Sequence, residues 1–398
     1  MSSPSESATS STPKASGVPA WGAIWVVVAA CMWAGNQFTP LLSLYRRELG
    51  YDEIAVTVFL GAYVAGLAPA LIGGARLSDR YGRRRMLTIG LVAGLASSAV
   101  LALSASSAAG LIGGRVLAGI AVGLATAVGS SWISELSRAT APPSAGPRRA
   151  SIAVTGGSLV GAAIAGSLAQ FTTTGTLTPY LVHIAVCLLG IVLVRRAPDR
   201  SRIDDGTATR SGARATARFV GRTALTAPWL FIAASIAYGY LPVALSDDVG
   251  ELALGYATLL STVTLAVAAT TQALTKKFER LRRHGILIGA AFFVLGFVVA
   301  AAAITAGSPT LGIVAAVVTG AGFGSAHVAG VATAQAGEVL TLATRTGTFY
   351  ALAFSGFLAP LILTLASSLV PVPALLLALA VICVVTTALS LLKVRPRV

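Results

Sequence analysis

The feature that most constrains this chain is the separation of its charged residues from its apolar residues. Long stretches with almost no charged side chain alternate with short segments that hold most of the charge. An α-helix needs about 20 apolar residues to cross the hydrocarbon core of a bilayer. The sequence therefore predicts twelve membrane-spanning helices, at 21–44, 54–74, 86–103, 108–134, 150–170, 178–194, 224–246, 252–274, 285–306, 310–335, 348–369 and 374–392.

The composition excludes other classes of protein. Hydrophobic residues make up 55% of the chain and charged residues 11%, whereas soluble domains carry about 25% charged residues. Disordered chains have low hydrophobicity, and three cysteines cannot form a disulfide scaffold. A net charge of +15 could indicate nucleic acid as a partner, but the basic residues lie between the apolar stretches. We therefore expect the lipid bilayer, and no nucleic acid, as a partner.

The distribution of lysine and arginine predicts the orientation of the chain. Of 29 such residues, 26 fall on one side of the predicted spans, Arg46 and Arg47 fall on the other, and Arg115 lies within a span. The positive-inside rule then predicts a multi-pass protein of the plasma (inner) membrane with both termini in the cytoplasm. The expected organisation is a disordered cytoplasmic tail at 1–18, a six-helix bundle at 19–197, a cytoplasmic linker at 198–223 and a second six-helix bundle at 224–398.

The loop between the second and third spans carries a distinctive motif. It includes Asp79 and Arg80, followed by Gly82, Arg83 and Arg84. Gly82 permits a tight reversal between two helices. Asp79 can accept hydrogen bonds from a helix N-terminus, and the arginines can hold a carboxylate with two parallel hydrogen bonds. A basic loop of no particular function does not need this order of residues.

This motif resembles the signature loop of the major facilitator superfamily, apart from Ala75, where that signature has glycine. The resemblance implies an all-α integral membrane fold, with twelve transmembrane helices arranged as two pseudo-symmetric six-helix bundles around a central cavity. It also implies secondary transport by alternating access, in which the cavity opens to each side of the membrane in turn.

The same resemblance suggests roles for two acids at the ends of the fourth and tenth spans. We expect Glu135 to pair with Arg83 or Arg84, and Glu338 to pair with Arg280 or Arg345. These pairs would hold the cytoplasmic side closed. The alternative is that both are ordinary interfacial acids, because exposed ion pairs contribute little to stability.

The fourth and fifth spans carry two further features. Arg115 and Gly119 resemble a pattern that the family often has in its fourth span. An arginine in a span is costly and is therefore a functional candidate, with snorkelling to the outer interface as the alternative. The fifth span lacks the proline of the family's drug-exporter motif, which weakens assignment to that subclass. It still predicts a close packing face at Gly156, Gly157, Gly161 and Gly166.

The resemblance implies that the first, fourth, seventh and tenth spans line the cavity. Asn36 and Gln37 lie in the first span, and at least one amide is expected to face the cavity. Tyr238 and Tyr240 are candidates for substrate contact, with an outer interfacial belt as the alternative. His327 is a candidate for substrate or proton contact, with a structural histidine as the alternative.

Two other observations bear on whether transport could be coupled to protons. His183 lies near the outer end of the sixth span and is expected to be interfacial. No Asp or Glu occurs in the interior of a predicted span. Because carboxylates are the usual proton carriers in membranes, proton coupling would have to use His327 or the acids at the span boundaries.

The favoured function is export of small amphipathic molecules, and coupling to protons is left open. Uptake or exchange of a metabolite or sugar is the alternative, and a non-transporting receptor is a remote one. The sequence has no cluster of catalytic groups and no phosphate-binding loop, so we expect no enzyme activity, no cofactor and no metal. We expect a monomer that binds a small-molecule substrate.

Overall fold

The computed structural model describes residues 19–138, 140–142, 145–197, 213–275, 279–336 and 342–392, with Asp79 and some residues near helix ends described by their backbone alone. These residues form helices joined by short connections, and no strand occurs among them. Eleven helices are long and apolar enough to cross a membrane, and a shorter apolar helix precedes them. We number these helices α1 to α12: Ala20–Asn36, Glu53–Ser78, Arg83–Leu103, Ala108–Arg138, Ala145–Phe171, Thr178–Arg196, Phe219–Ala244, Ser246–Leu274, His284–Thr305, Pro309–Ala334, Arg345–Ala366 and Val372–Leu392.

The predicted fold class is confirmed, and several helices extend beyond the predicted spans into charged segments. The helix that contains α2 continues to Tyr81, so most of the signature loop is helical. The polar segment before α7 also contains a helix, Ala213–Thr226. The predicted tail at 1–18 and residues 198–212 of the predicted linker lie outside the described residues.

The first span is broken near its end. α1 ends at Asn36, and a short helix, Leu42–Arg47, follows after a turn. Pro40 has no amide hydrogen to donate to the Asn36 carbonyl, and the amide of Thr39 binds that carbonyl at 3.2 Å. In a continuous helix the Thr39 amide would bind the carbonyl of Gly35. The Gly35 carbonyl is therefore released from the helical pattern.

The two bundles, α1–α6 and α7–α12, meet along two helix pairs. α2 packs on α11, and α5 packs on α8. Because successive helices run in opposite directions, their ends divide between two faces of the molecule. One face, which we call the basic face, carries Arg76, Arg80, Arg83, Arg84, Arg85, Arg138, Arg148, Arg149, Arg195 and Arg196. The opposite face carries Arg46, Arg47, Asp52, Glu53, Asp247 and Asp248.

Close packing inside the first bundle depends on glycine. A Cβ atom at Gly66 or at Gly119 would clash with backbone carbonyl groups of the facing helix, so α2 and α4 can approach only because both residues lack one. Gly157 and Gly161 allow the same close approach of α5 to α1, as the sequence predicts. Such backbone proximity supplies much of the association energy of helices in hydrocarbon.

Gly119→Ala is expected to lower the thermal unfolding temperature of the purified protein by several degrees, because the new Cβ would force α2 and α4 apart. Gly113→Ala is the matched control, since it lies in the same helix and nothing lies within 4 Å of its Cβ position. Fluorescence-monitored unfolding in detergent compares the two variants. Equal unfolding temperatures would contradict the packing role of Gly119.

Candidate functional site

In the signature loop the chain reverses direction at a single residue. The helix Glu53–Tyr81 ends where α3 begins at Arg83, so Gly82 alone separates them. The φ angle of Gly82 is 87°, in the left-handed region where other side chains are strained. Arg80 is exposed, with its guanidinium 5.3 Å from the centre of the neighbouring Tyr81 ring. Asp79 lies in the last helical turn, and its side chain lies outside the described part of the chain.

The partner of Glu135 is Arg83. Both terminal nitrogens of the Arg83 guanidinium bind the carboxylate of Glu135, which makes the ion pair bidentate. Arg84 donates to the carbonyl of Ala197, at the end of α6, at 2.5 Å. Arg83 and Glu135 both belong to the first bundle, so their ion pair joins α3 to α4 and does not itself link the two bundles. Glu338 lies outside the described residues.

Arg83→Gln and Glu135→Gln are expected to be non-additive in thermal stability. Each single change leaves a charge that is only 23% or 28% exposed without its partner, at a cost of about 1 kcal/mol. The double variant should cost little more than either single one. Unfolding curves of the three variants check this, with Arg138→Gln, an exposed arginine at the same end of α4, as the control. Additive losses would show that the pair is energetically unimportant.

The guanidinium of Arg115 is fully buried in the first bundle, so the alternative of snorkelling is wrong. Its Nη1 donates to the carbonyl of Gly35 at 2.9 Å, and its Nε donates to the carbonyl of Phe59 at 3.2 Å. The rings of Phe38 and Tyr63 flank it, with their centres 4.9 and 4.8 Å away. The carbonyl released by the break in α1 is therefore one of the two groups that hold this arginine.

Arg115 has no carboxylate partner among the described ion pairs. Its polar neighbours are tyrosines, and Tyr45 and Tyr180 share a hydrogen bond of 2.9 Å. Tyr238 of α7 also lies within electrostatic range, so the second bundle contributes to the surroundings of this cation. Ring faces and carbonyls offset only part of the cost of burying a charge. This residual cost is the physical reason to treat Arg115 as functional.

The amides of Asn36 and Gln37 point toward different helices. Asn36 Nδ2 donates to Ser158 Oγ of α5 at 2.9 Å, and Gln37 Nε2 donates to Ser98 Oγ of α3, also at 2.9 Å. Asn36 retains slight exposure, whereas Gln37 is fully buried. The Oε1 atom of Gln37 and the indole nitrogen of Trp33 are buried without a hydrogen-bond partner in the described part of the chain.

His183 is fully buried, so the expected interfacial position is wrong. Its Nε2 lies 3.0 Å from the carbonyl of Ala30, and its Nδ1 lies 2.7 Å from Ser98 Oγ. The carbonyl can only accept, so Nε2 carries the proton and Nδ1 accepts from the serine. Both ring nitrogens are therefore satisfied by neighbouring helices, which allows a neutral histidine to be buried.

His327 belongs to a hydrogen-bonded line that crosses between the bundles. The side-chain nitrogen of Gln272 in α8 lies 3.0 Å from Thr155 Oγ1 of α5 and 3.1 Å from His327 Nδ1. His327 Nε2 lies 3.0 Å from the hydroxyl of Tyr350 in α11. All four residues are buried. A change in how α5 meets α8 would therefore alter the partners of His327.

Six aromatic residues occupy the space between Arg115 and His327. We call them the aromatic cluster: Tyr63, Phe231, Phe323, Tyr350, Phe354 and Phe357. Tyr63 of the first bundle lies 5.4 Å from Phe357 and 6.3 Å from Phe354, between ring centres. Phe231 stacks on Phe354 at 4.1 Å, and Phe323 lies 5.3 Å from both Phe231 and the His327 ring. The cluster thus joins Arg115 of one bundle to His327 of the other through contacting rings.

Tyr238 and Tyr240 lie in a π-helical turn of α7, Ile236–Tyr240. Both are buried, so the alternative of an interfacial belt is wrong. The Tyr238 ring centre lies 6.4 Å from that of Phe357, beside the aromatic cluster. Tyr240 lies within electrostatic range of the Glu53 carboxylate. A π-helical turn places successive side chains differently from an α-helix, and such turns are frequent at functional sites.

Polar contacts at the opposite face join the bundles. Arg46 donates to the carbonyl of Val243 at 2.7 Å and to Ser246 Oγ at 2.6 Å, and it lies 3.6 Å from the Asp247 carboxylate. We call these four residues the latch. A further bond, from Thr364 to a carboxylate oxygen of Glu53 at 3.2 Å, lies at the same face.

Arg46→Ala is expected to expose the space behind the latch to the aqueous phase. Ser43→Cys can report this, because Ser43 is buried close to Arg46 and the three native cysteines are all buried. A membrane-impermeant maleimide should label Ser43→Cys severalfold faster in the Arg46→Ala background. Arg47→Ala, at the exposed neighbouring residue, is the control. Unchanged labelling would mean that the latch does not hold this face closed.

Several of these groups were not found from the sequence. The family resemblance implies cavity residues on the first, fourth, seventh and tenth spans. Four members of the aromatic cluster lie instead on the second and eleventh: Tyr63, Tyr350, Phe354 and Phe357. Gln272 was also missed, although a single amide in an otherwise apolar span is a detectable signal.

The fold is that of a multi-pass helical membrane protein. The Major Facilitator Superfamily profile matches residues 24–355, so the chain belongs to that family and is a membrane transporter. No functionally curated protein matches the sequence.

Solved structures agree on the fold. A POT family transporter in complex with 5-aminolevulinic acid is similar, with a TM-score of 0.74, 14% sequence identity, and coverage of 94% of this chain and 95% of that one. A mutant of the nucleoside transporter NupG has a TM-score of 0.68 and 13% identity, and the match covers 94% of this chain and all of that one. At such low identity these similarities establish the fold alone.

Proposed function

We propose that this transporter exports small amphipathic molecules across the plasma membrane by alternating access, and that His327 couples export to protons. The observation that carries the proposal is the aromatic cluster, which lies where the bundles meet, between Arg115 and His327. Aromatic rings offer flat apolar surface to a substrate, and a few polar groups fix its orientation. Asn36, which retains slight exposure, can supply such a polar contact.

The proposed cycle separates the bundles at one face at a time. The ring contacts of the aromatic cluster can re-pack at modest cost, because both stacked and edge-to-face arrangements of aromatic rings are favourable. The latch must break when the opposite face opens, and its hydrogen bonds are directional. The Arg83–Glu135 pair would keep α3 and α4 together throughout, as part of a bundle that moves as one body.

The orientation in the membrane is proposed from charge. The basic face carries most of the described arginines, so we place it, together with both termini, in the cytoplasm. We propose that the two bundles, at 19–197 and 224–398, are the moving units, and that the protein works as a monomer.

Histidine titrates near neutral pH, which suits it to carry a proton in a transport cycle. We expect His327→Gln to abolish substrate-dependent proton movement, because an amide can hydrogen-bond at this position but cannot accept a proton. The test uses liposomes that contain the protein and a pH-sensitive dye, an imposed pH gradient, and a panel of amphipathic cations and drugs. Nucleosides and short peptides join the panel because the solved structures with a similar fold include a nucleoside transporter and a POT family peptide transporter.

His284→Gln is the matched control, because His284 is exposed at the end of α9. Proton movement that persists in His327→Gln would refute the coupling role. Counterflow of labelled substrate, measured in the same liposomes without a gradient, separates coupling from binding. His327→Gln should retain counterflow.

Uptake or exchange without protons is the second candidate function. It is favoured by the absence of Asp and Glu from the interior of the described spans, where these residues occur only near the ends. Substrate flux with no proton movement in the unmodified protein would support this alternative over export coupled to protons.

A further inference from the structure

A cavity of about 470 Å³ opens at the basic face, between the first turns of α1 and α5. It lies apart from the aromatic cluster and from the latch. Its lining combines aromatic, cationic and apolar side chains from two helices: Trp21, Gly22, Trp25, Arg148, Arg149 and Ile152. No acidic residue in the described part of the chain lines it.

Arg149 is arranged to receive an anion. Its guanidinium stacks over the ring of Trp21, with a distance of 3.9 Å to the ring centre. Its Nη1 is buried and has no hydrogen-bond partner in the described part of the chain. A buried donor of this kind is costly unless a ligand or water satisfies it. Arg148, the next residue, is exposed and adds a second positive charge.

The helix ends add to the positive potential. The cavity lies in the first turn of α1, which begins at Ala20, and in the first turns of α5, which begins at Ala145. The amides of Gly22 and Ala145 already bind the carbonyls of Pro19 and Pro142, so the helix ends contribute only the positive potential of their dipoles, which favours an anion nearby.

The depth of the lining residues in the membrane favours a lipid over a free anion as the ligand of this cavity. Ile152 lies one turn further along α5 than Arg148 and is 43% exposed, so it faces the hydrocarbon of the bilayer. Trp25 lies one turn deeper on α1 than Trp21, and tryptophan favours the level of the lipid headgroups. The site therefore presents cations at headgroup depth and apolar side chains directly below.

We propose that this cavity binds the phosphate headgroup of an anionic phospholipid, with the acyl chains lying along Ile152. The Arg149 guanidinium contacts the phosphate, Trp21 holds that guanidinium in place, and Arg148 adds attraction. The cytoplasmic leaflet supplies anionic lipid, and basic pockets between membrane helices on that side bind such headgroups.

Native mass spectrometry of the purified protein tests the proposal. The protein is mixed with dioleoylphosphatidylglycerol or with zwitterionic dioleoylphosphatidylcholine at equal concentration, and the first bound lipid is counted. The anionic lipid should be retained preferentially, and Arg149→Gln should reduce its retention about fivefold, as expected for one basic residue near the surface. Arg196→Gln, an exposed arginine at the same face outside the cavity, should leave retention unchanged.

Trp21→Leu keeps both arginines and removes the ring beneath the Arg149 guanidinium, so it should also weaken retention. Thermal unfolding of each variant confirms that it is folded. Equal retention of the two lipids, or equal losses in Arg149→Gln and Arg196→Gln, would overturn the proposal in favour of general attraction to a basic surface.

Competition with inorganic phosphate at millimolar concentration distinguishes a phospholipid headgroup from free phosphate as the anion that the cavity binds. Complete displacement of the lipid by phosphate would assign the site to a free anion and overturn the lipid assignment. Persistence of the lipid would support it. The measurement needs no transport, so its outcome is independent of the proposed function.

Discussion

The structure depends on one constraint, which is that a polar backbone group in hydrocarbon needs a partner inside the protein. The break at Pro40 releases the carbonyl of Gly35, and the buried guanidinium of Arg115 binds it. Each feature makes the other tolerable, because the arginine needs acceptors and the carbonyl needs a donor. The turn that follows also carries Phe38 to the guanidinium, and Asn36 and Gln37 at the break reach different helices. The central part of the first bundle is thus organised by an interrupted helix and a cation.

The two bundles use different chemistry. The first is organised around Arg115, a cation with no carboxylate partner in the described part of the chain, and the second around the hydrogen-bonded imidazole of His327. The rings between them form an interface without directional bonds, whereas the Thr155–Gln272 contact and the latch are directional. The proposed motion between the bundles would therefore change a small number of hydrogen bonds while the apolar contacts re-pack. An interface of this kind can have two arrangements that are close in free energy.

The sequence predicted the fold because hydrophobic length is a strong signal in membrane proteins. The reversal at Gly82 and a pairing of Glu135 with Arg83 or Arg84 could be predicted, because the signature loop carries both. The cost of an arginine within a span marked Arg115 as a candidate, but the sequence left its burial open against snorkelling. The aromatic cluster does not, since Phe and Tyr in a span look alike whether they face lipid or a neighbouring helix. The predicted interfacial position of His183 is wrong for a similar reason. Its depth along the helix was read from the sequence, but its direction depends on Ser98 and Ala30, which lie far away in the chain.

The reversal at Gly82 has a mechanical consequence. Only one residue separates the helix ending at Tyr81 from α3, so those two helices have little slack between them. Arg83 then ties the start of α3 to the end of α4, and Arg84 ties it to the end of α6. α2 itself packs on α11 of the other bundle. A tilt of α2 imposed by α11 is therefore transmitted through the short connection at Gly82 to α3, and through Arg83 and Arg84 to α4 and α6.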